Sequence, residues 1–204
     1  MQEFSIFVFS LIKDLSSWEA CAVVLAIAYL LLAVRENILC WYCALFSTAI
    51  FTGLFWDVSL LMDSALNVYY MAMAIYGWYQ WTHGGSNGHG VHIGKLSGSQ
   101  NILIISSILM ITLVSGYLLD HNTSAAWPYV DSFTTWASVA TTIMVTKKIL
   151  ENWLYWLVID TISIPLYIDR GLYLTATLFV AYIVIVIFGY LSWRQRLLAQ
   201  KPVA

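Results

Sequence analysis

The residues able to do chemistry in this 204-residue chain are few, and most lie inside long apolar runs. Asp63 and Asp160 are acids in such runs, where an ionisable group is costly and faces a cavity or a partner. Asn152, Trp156, Asp160 and Ser163 recur at i, i+4, i+8 and i+11, which at about 3.6 residues per turn makes one helical stripe. Asp63, Asn67, Tyr70, Ala74 and Trp78 make a second. Amides, carboxylates and indoles on one face suit a flat, cationic organic ligand. Rings would grip it by stacking and cation–π contact worth about 0.5–2 kcal/mol each, amides would read its edge, and an acid would offset its charge. A third polar face, Asp131, Thr134, Thr135, Ser138, Thr141 and Thr142, fits tight helix packing as well as it fits a site.

Bond-making chemistry needs more than this. Hydrolysis or group transfer requires a nucleophile–base pair or a metal cluster. The histidines are His121 and three in a Gly/Ser-rich segment, His83, His89 and His92, with no Cys or carboxylate close by to complete a metal site. Cys40 and Cys43 have Cys-x-x-Cys spacing without a second pair and read as packing residues. An enzyme, a resident metal and a cofactor are therefore not expected.

The elements that position the stripes follow from composition. Hydrophobic residues make up 61% and charged residues 10%, against a soluble norm of about 45–50% and 25%. A bilayer takes the place of the missing polar surface, and a net charge of −2 gives no footprint for nucleic acid. The sequence predicts an all-α polytopic membrane protein with seven transmembrane helices, at 18–33, 38–56, 58–81, 102–119, 125–145, 152–168 and 172–193. Residues 1–17 read as an interfacial segment, 82–101 as a mobile cytoplasmic loop and 194–204 as a cytoplasmic tail. Seven basic residues flank one side (Arg35, Lys95, Lys147, Lys148, Arg194, Arg196, Lys201) and two the other (Lys13, Arg170). That bias predicts an outside N-terminus and a cytoplasmic C-terminus. Trp18, Trp56, Trp81, Trp127 and Trp193 are expected in the interfacial aromatic belt.

The halves repeat. Glu36-Asn37-Ile38-Leu39-Cys40-Trp41 matches Glu151-Asn152-Trp153-Leu154-Tyr155-Trp156 at an offset of 115, and Ile75-Tyr76-Gly77 with Trp81 matches Ile187-Phe188-Gly189 with Trp193 at 112. Three residues are thus expected to be missing from the second copy. Each copy holds three helices (18–81 and 120–193), and the unpaired helix 102–119 makes the two repeats parallel, a 3+1+3 transporter architecture with substrate held between them. In this register Asn37 pairs with Asn152 and Trp41 with Trp156, so both indoles are expected at one central space.

Glu151-Asn152-Trp153-Leu154-Tyr155-Trp156 with Asp160-Thr161-Ile162-Ser163, Tyr76-Gly77-Trp78-Tyr79-Gln80-Trp81 and Gly171-Leu172-Tyr173 together resemble the Pnu-type vitamin transporters. Their PnuC branch carries nicotinamide riboside. The resemblance runs from about Trp18 to Arg196. It implies a fold similar to the SWEET sugar transporters, a homotrimer in the bacterial inner membrane, and facilitated diffusion without ion coupling. It also implies a cytoplasmic kinase that traps the vitamin. By the same resemblance Asn152 and Trp156 match positions that contact nicotinamide riboside, and Gln80 joins the candidate binding residues. Asn67 stands where that branch leads one to expect Gln. A related branch carries thiamine, also a flat cation, and stands second.

Overall fold

The computed structural model describes residues 17–57, 61–85, 88–123, 127–169 and 173–200, without the side chains of Phe55, Leu61, Met62, Asp63 and Leu174. The segment expected to lie in the interface falls almost wholly outside them. Seven helices form among these residues: α1 Ser17–Val34, α2 Leu39–Asp57, α3 Leu61–His83, α4 Gly98–Asn122, α5 Pro128–Thr146, α6 Asn152–Asp169 and α7 Tyr173–Ala199. Helix is what an apolar chain adopts when its backbone must satisfy itself. Three stretches, Ser17–Val34, Gly98–Asn122 and Thr175–Ala199, are long and apolar enough to cross a membrane. The stripes of acids, amides and hydroxyls make α3, α5 and α6 less apolar. α7 continues past Trp193 because Arg194 to Ala199 are all good helix formers.

The chain divides into two compact units, Met1–Gly90 and Val91–Ala204. In the first, α2 packs on both α1 and α3. Trp41 is the wedge: 3% exposed, its ring fills the space where Gly77 has no side chain, and it meets Trp81 edge-on at 5.2 Å and 86°. In the second unit α4 packs on α5, α5 on α6 and α6 on α7. There Trp153, 2% exposed, lies over Gly189 and meets Trp193 edge-on at 5.3 Å and 90°.

These two locks correct the register. Trp41, Gly77 and Trp81 correspond to Trp153, Gly189 and Trp193 at a constant offset of 112. The turns agree. Among the described residues, Glu36 and Lys148 are the two non-glycine residues of positive φ, at 54° and 49°. Asn37 N–H donates to Leu32 O at 2.9 Å, and Ile149 N–H to Met144 O at 2.9 Å. At this offset the matched positions align without a gap. Trp41 pairs with Trp153 rather than Trp156, and Asn152 with Cys40 rather than Asn37. The similarity of the two Glu-Asn segments arises from neighbouring, non-equivalent turns.

Two further expectations change. Trp81 and Trp193 are 7% and 0% exposed, so they are interior ring partners and not members of an interfacial belt. Trp18, Trp56 and Trp127 are exposed. The segment read as a mobile loop is bonded along its second half. Gly90, at φ 93°, donates to Gly84 O at 2.9 Å and lies so close to Trp81 O that a Cβ would collide with it. Gly94 then donates to Lys148 O at 3.0 Å and accepts from Leu150 N–H at 2.9 Å, with Ile93 and Leu150 buried. Leu96 N–H reaches the Glu151 carboxylate at 3.1 Å. Residues 93–97 thus form a strap over the α5–α6 turn, ending in the Ser97–Gln100 capping box that starts α4.

Candidate functional site

In the first unit the structure brings Trp41, Ala74 and Trp78 together. With Tyr42, Leu45 and Ile75 they line a recess of about 250 Å³ between α2 and α3. The Trp41 indole N–H is buried without a hydrogen-bond partner among the described residues. Asn67 is buried one turn or more along the α3 stripe, and Tyr70 is half-buried with its ring 5.6 Å from that of Tyr69. The Asp63 side chain lies outside the described part. Two candidates do not join this group. Asn37 is exposed and its side chain accepts from Leu39 N–H at 2.9 Å, which caps the start of α2. Gln80 lies about 200° around the helix from Trp78 and donates to the Tyr76 hydroxyl at 2.9 Å.

In the second unit the α6 stripe is real and largely interior. Asn152 is 0% exposed; its amide donates to Ile149 O at 2.6 Å, which leaves its own oxygen buried without a partner. Trp156 is half-buried against Ile108, Ala137 and Ile159. Asp160 is 4% exposed, and Ser163 spends its hydroxyl on Ile159 O at 2.9 Å. The α5 hydroxyls do the same: Thr141 donates to Ala137 O at 2.6 Å and Thr142 to Ser138 O at 2.8 Å, both from buried positions. A hydroxyl that donates to its own helix has spent its proton and can only accept from a neighbour. Thr141 and Thr142 of the α5 stripe are in that state.

The register gives α7 a role the stripes did not suggest. Phe179, Tyr182 and Val186 occupy the places of Asn67, Tyr70 and Ala74. Phe179 is 5.5 Å from Tyr182 and 4.9 Å from Tyr167 of α6, an aromatic row on the side of α7 that carries Val186. The signal was available: tryptophan followed by glycine after 36 residues and tryptophan after 4 more occurs twice without a gap.

The family described as the nicotinamide mononucleotide transporter matches residues 16–195. The chain belongs to that family. It is 24% identical to the nicotinamide riboside transporter PnuC of Escherichia coli strain K12, over 88% of this chain and 86% of that protein. It is also 24% identical to the riboflavin/roseoflavin transporter RibM of Streptomyces davaonensis, over 83% and 81%. Its fold is similar to the crystal structure of the vitamin B3 transporter PnuC, with a TM-score of 0.72 and 21% identity, covering 95% of this chain and 86% of that one. Two relatives at the same 24% identity are thus described as transporters of different vitamins, nicotinamide riboside and riboflavin/roseoflavin.

Proposed function

We propose that this protein is a facilitative transporter that imports a flat cationic B vitamin, nicotinamide riboside before thiamine, across the bacterial inner membrane. Membership of a transporter family over residues 16–195 carries the reading, and the E. coli relative points to nicotinamide riboside. In this reading all seven helices cross the bilayer. α1–α3 and α5–α7 are parallel repeats, with α4 as the extra crossing that makes them parallel. The constant offset of 112 supports the repeat. Substrate moves downhill by alternating access of the two repeats, the protein assembles as a homotrimer, and a cytoplasmic kinase traps what enters. The N-terminus is outside and the C-terminus cytoplasmic, as the basic residues suggest. The candidate binding residues are Trp156, Asn152 and Asp160 of α6 in the second unit and, in the first unit, Trp41, Trp78, Tyr70, Asn67 and Asp63.

The test is uptake into proteoliposomes with radiolabelled nicotinamide riboside, thiamine and riboflavin. Saturable counterflow of the first, unchanged chemically and insensitive to a protonophore, is expected. Riboflavin uptake alone would move the protein to the specificity of its Streptomyces relative. Accumulation above equilibrium that a protonophore abolishes would overturn facilitated diffusion. Cysteine labelling of the two tails from opposite sides checks the orientation.

A further inference from the structure

The second unit carries an apolar groove that takes no part in the candidate vitamin site. α5 packs on both α4 and α6, so it floors a cleft walled by those two helices. The cleft holds about 270 Å³, with Phe133 and Ala137 at its floor, Ile105 and Ile108 on one wall and Leu154 and Val158 on the other. Ile105, Leu154 and Val158 are exposed, so the cleft opens outward along their rim. Tyr155 also lines it, and its hydroxyl donates to Asn101 Oδ1 at 3.1 Å, tying α6 to α4 at one end. That is the one polar side chain among the described lining residues, and its proton is spent. A groove of this kind takes hydrocarbon, because left unfilled it forfeits the dispersion contacts of its lining.

The end marked by Asn101 and Tyr155 is also the basic end. The strap bonds Gly94 to Lys148 O and to Leu150 N–H, which brings Lys95 beside the turn that carries Lys147 and Lys148. α4 and α6 begin at this end and α5 finishes there, so two helix N-termini add to the positive field. Lys95 and Lys147 are exposed, and neither forms an ion pair among the described residues. Glu151, the acid of the same turn, spends a carboxylate oxygen on Leu96 N–H. Ile105 lies seven residues into α4 and Leu154 two into α6, so the groove starts within about 10 Å of that end along the helix axes. A basic patch at the head of a hydrocarbon groove is what holds an anionic lipid at the cytoplasmic face. We propose that the α4–α5–α6 groove binds one anionic phospholipid, an acyl chain in the groove and its phosphate at Lys95 and Lys147. A second copy docking here through its own groove would set like charges face to face. None of the candidate vitamin-binding residues lines the groove, and the site rests only on the membrane-spanning part of the proposed function.

The test uses the purified full-length protein in detergent, offered phosphatidylglycerol and phosphatidylcholine with identical acyl chains, and counts bound lipid by native mass spectrometry. The wild type is expected to retain phosphatidylglycerol in preference, on the order of 10- to 30-fold. Lys95→Gln combined with Lys147→Gln should remove most of that preference, at about 1 kcal/mol per lysine. Ile105→Trp, which fills the groove from its rim, should lower retention of both lipids. Leu113→Trp, at an exposed position of α4 outside the lining, should change neither. A phosphatidylglycerol with a diazirine in its acyl chain should label the wild type at Ile105, Leu154 or Val158, and it decides alone if Ile105→Trp does not assemble. Equal retention of the two lipids, equal effects of the two tryptophans, or labelling confined to other positions would overturn the site. Ile105→Trp changing the oligomeric mass with lipid retention unaltered would overturn it in favour of an interface between copies. Vitamin uptake is a separate measurement, so its failure and the failure of this site are told apart.

Discussion

Replacing Gly189 by alanine tests the register of the repeat and the lock it reveals. The added methyl carbon would lie 2.6–2.7 Å from three ring atoms of Trp153, against an ordinary carbon–carbon contact of about 3.5–4.0 Å. The ring cannot retreat, because Trp153 is 2% exposed and Trp193, on which its edge abuts, is 0% exposed. Overpacking of this kind costs about 1–3 kcal/mol, or roughly a 5- to 150-fold shift toward the unfolded state. Denaturant titration of the purified protein in detergent reads it directly. Gly53→Ala is the control: its methyl would meet nothing within 4 Å, so it should be neutral or stabilising by up to about 1 kcal/mol. In a Trp153→Leu background the cost of Gly189→Ala should fall below about 0.5 kcal/mol, and in a Trp156→Leu background it should persist in full. A Gly189→Ala as harmless as Gly53→Ala, or relief by Trp156→Leu instead, would refute the lock and return the 115-residue pairing.

Three other outcomes are expected. Trp156→Ala should lower vitamin affinity about 5- to 30-fold, and Trp156→Phe less, because a flat ring remains; calorimetry on still-assembled protein separates this from lost stability. Glu151→Ala should leave the Leu96 N–H unpaired and cost about 1–3 kcal/mol, whereas Glu151→Gln, which keeps an acceptor, should cost much less; equal costs in denaturant titration would deny the strap its bond. Lys148→Gly should stabilise by about 0.5–1 kcal/mol, since Lys148 sits at φ 49° where glycine is unstrained, and a loss in the same titration would show that its side chain matters more than its backbone.

The helices were legible because hydrophobic runs broken by charge and turn residues are hard to mistake, and Trp18 to Ala33 and Asn152 to Ile168 agree with α1 and α6 to within one residue. The α6 stripe was legible from spacing alone. The repeat was seen but slipped, since identical letters at Glu36-Asn37 and Glu151-Asn152 outweighed a match of roles. Backbone turns and ring seats define equivalence, and in the sequence the mark of it is spacing alone, Trp41, Gly77 and Trp81 recurring as Trp153, Gly189 and Trp193. The strap was illegible for a different reason. Its one glycine and one serine sit in a Gly/Ser-rich stretch of flexible composition, and what orders it is bonding of its main chain to a turn some fifty residues away, which that composition does not announce.

That strap carries a consequence for how the protein is made. Leu96 waits for an acceptor 55 residues further along the chain, and Asn101 for a tyrosine 54 residues further. At about 5–20 residues per second, the ribosome needs roughly 3–11 s to supply them. During that interval the amides of Gly94 and Leu96 lack the partners that the second half supplies. The segment joining the two halves is therefore closed late, by the nascent second half itself. A chain arrested before Lys148 would leave the amides of Gly94 and Leu96 without the acceptors they have in the finished fold.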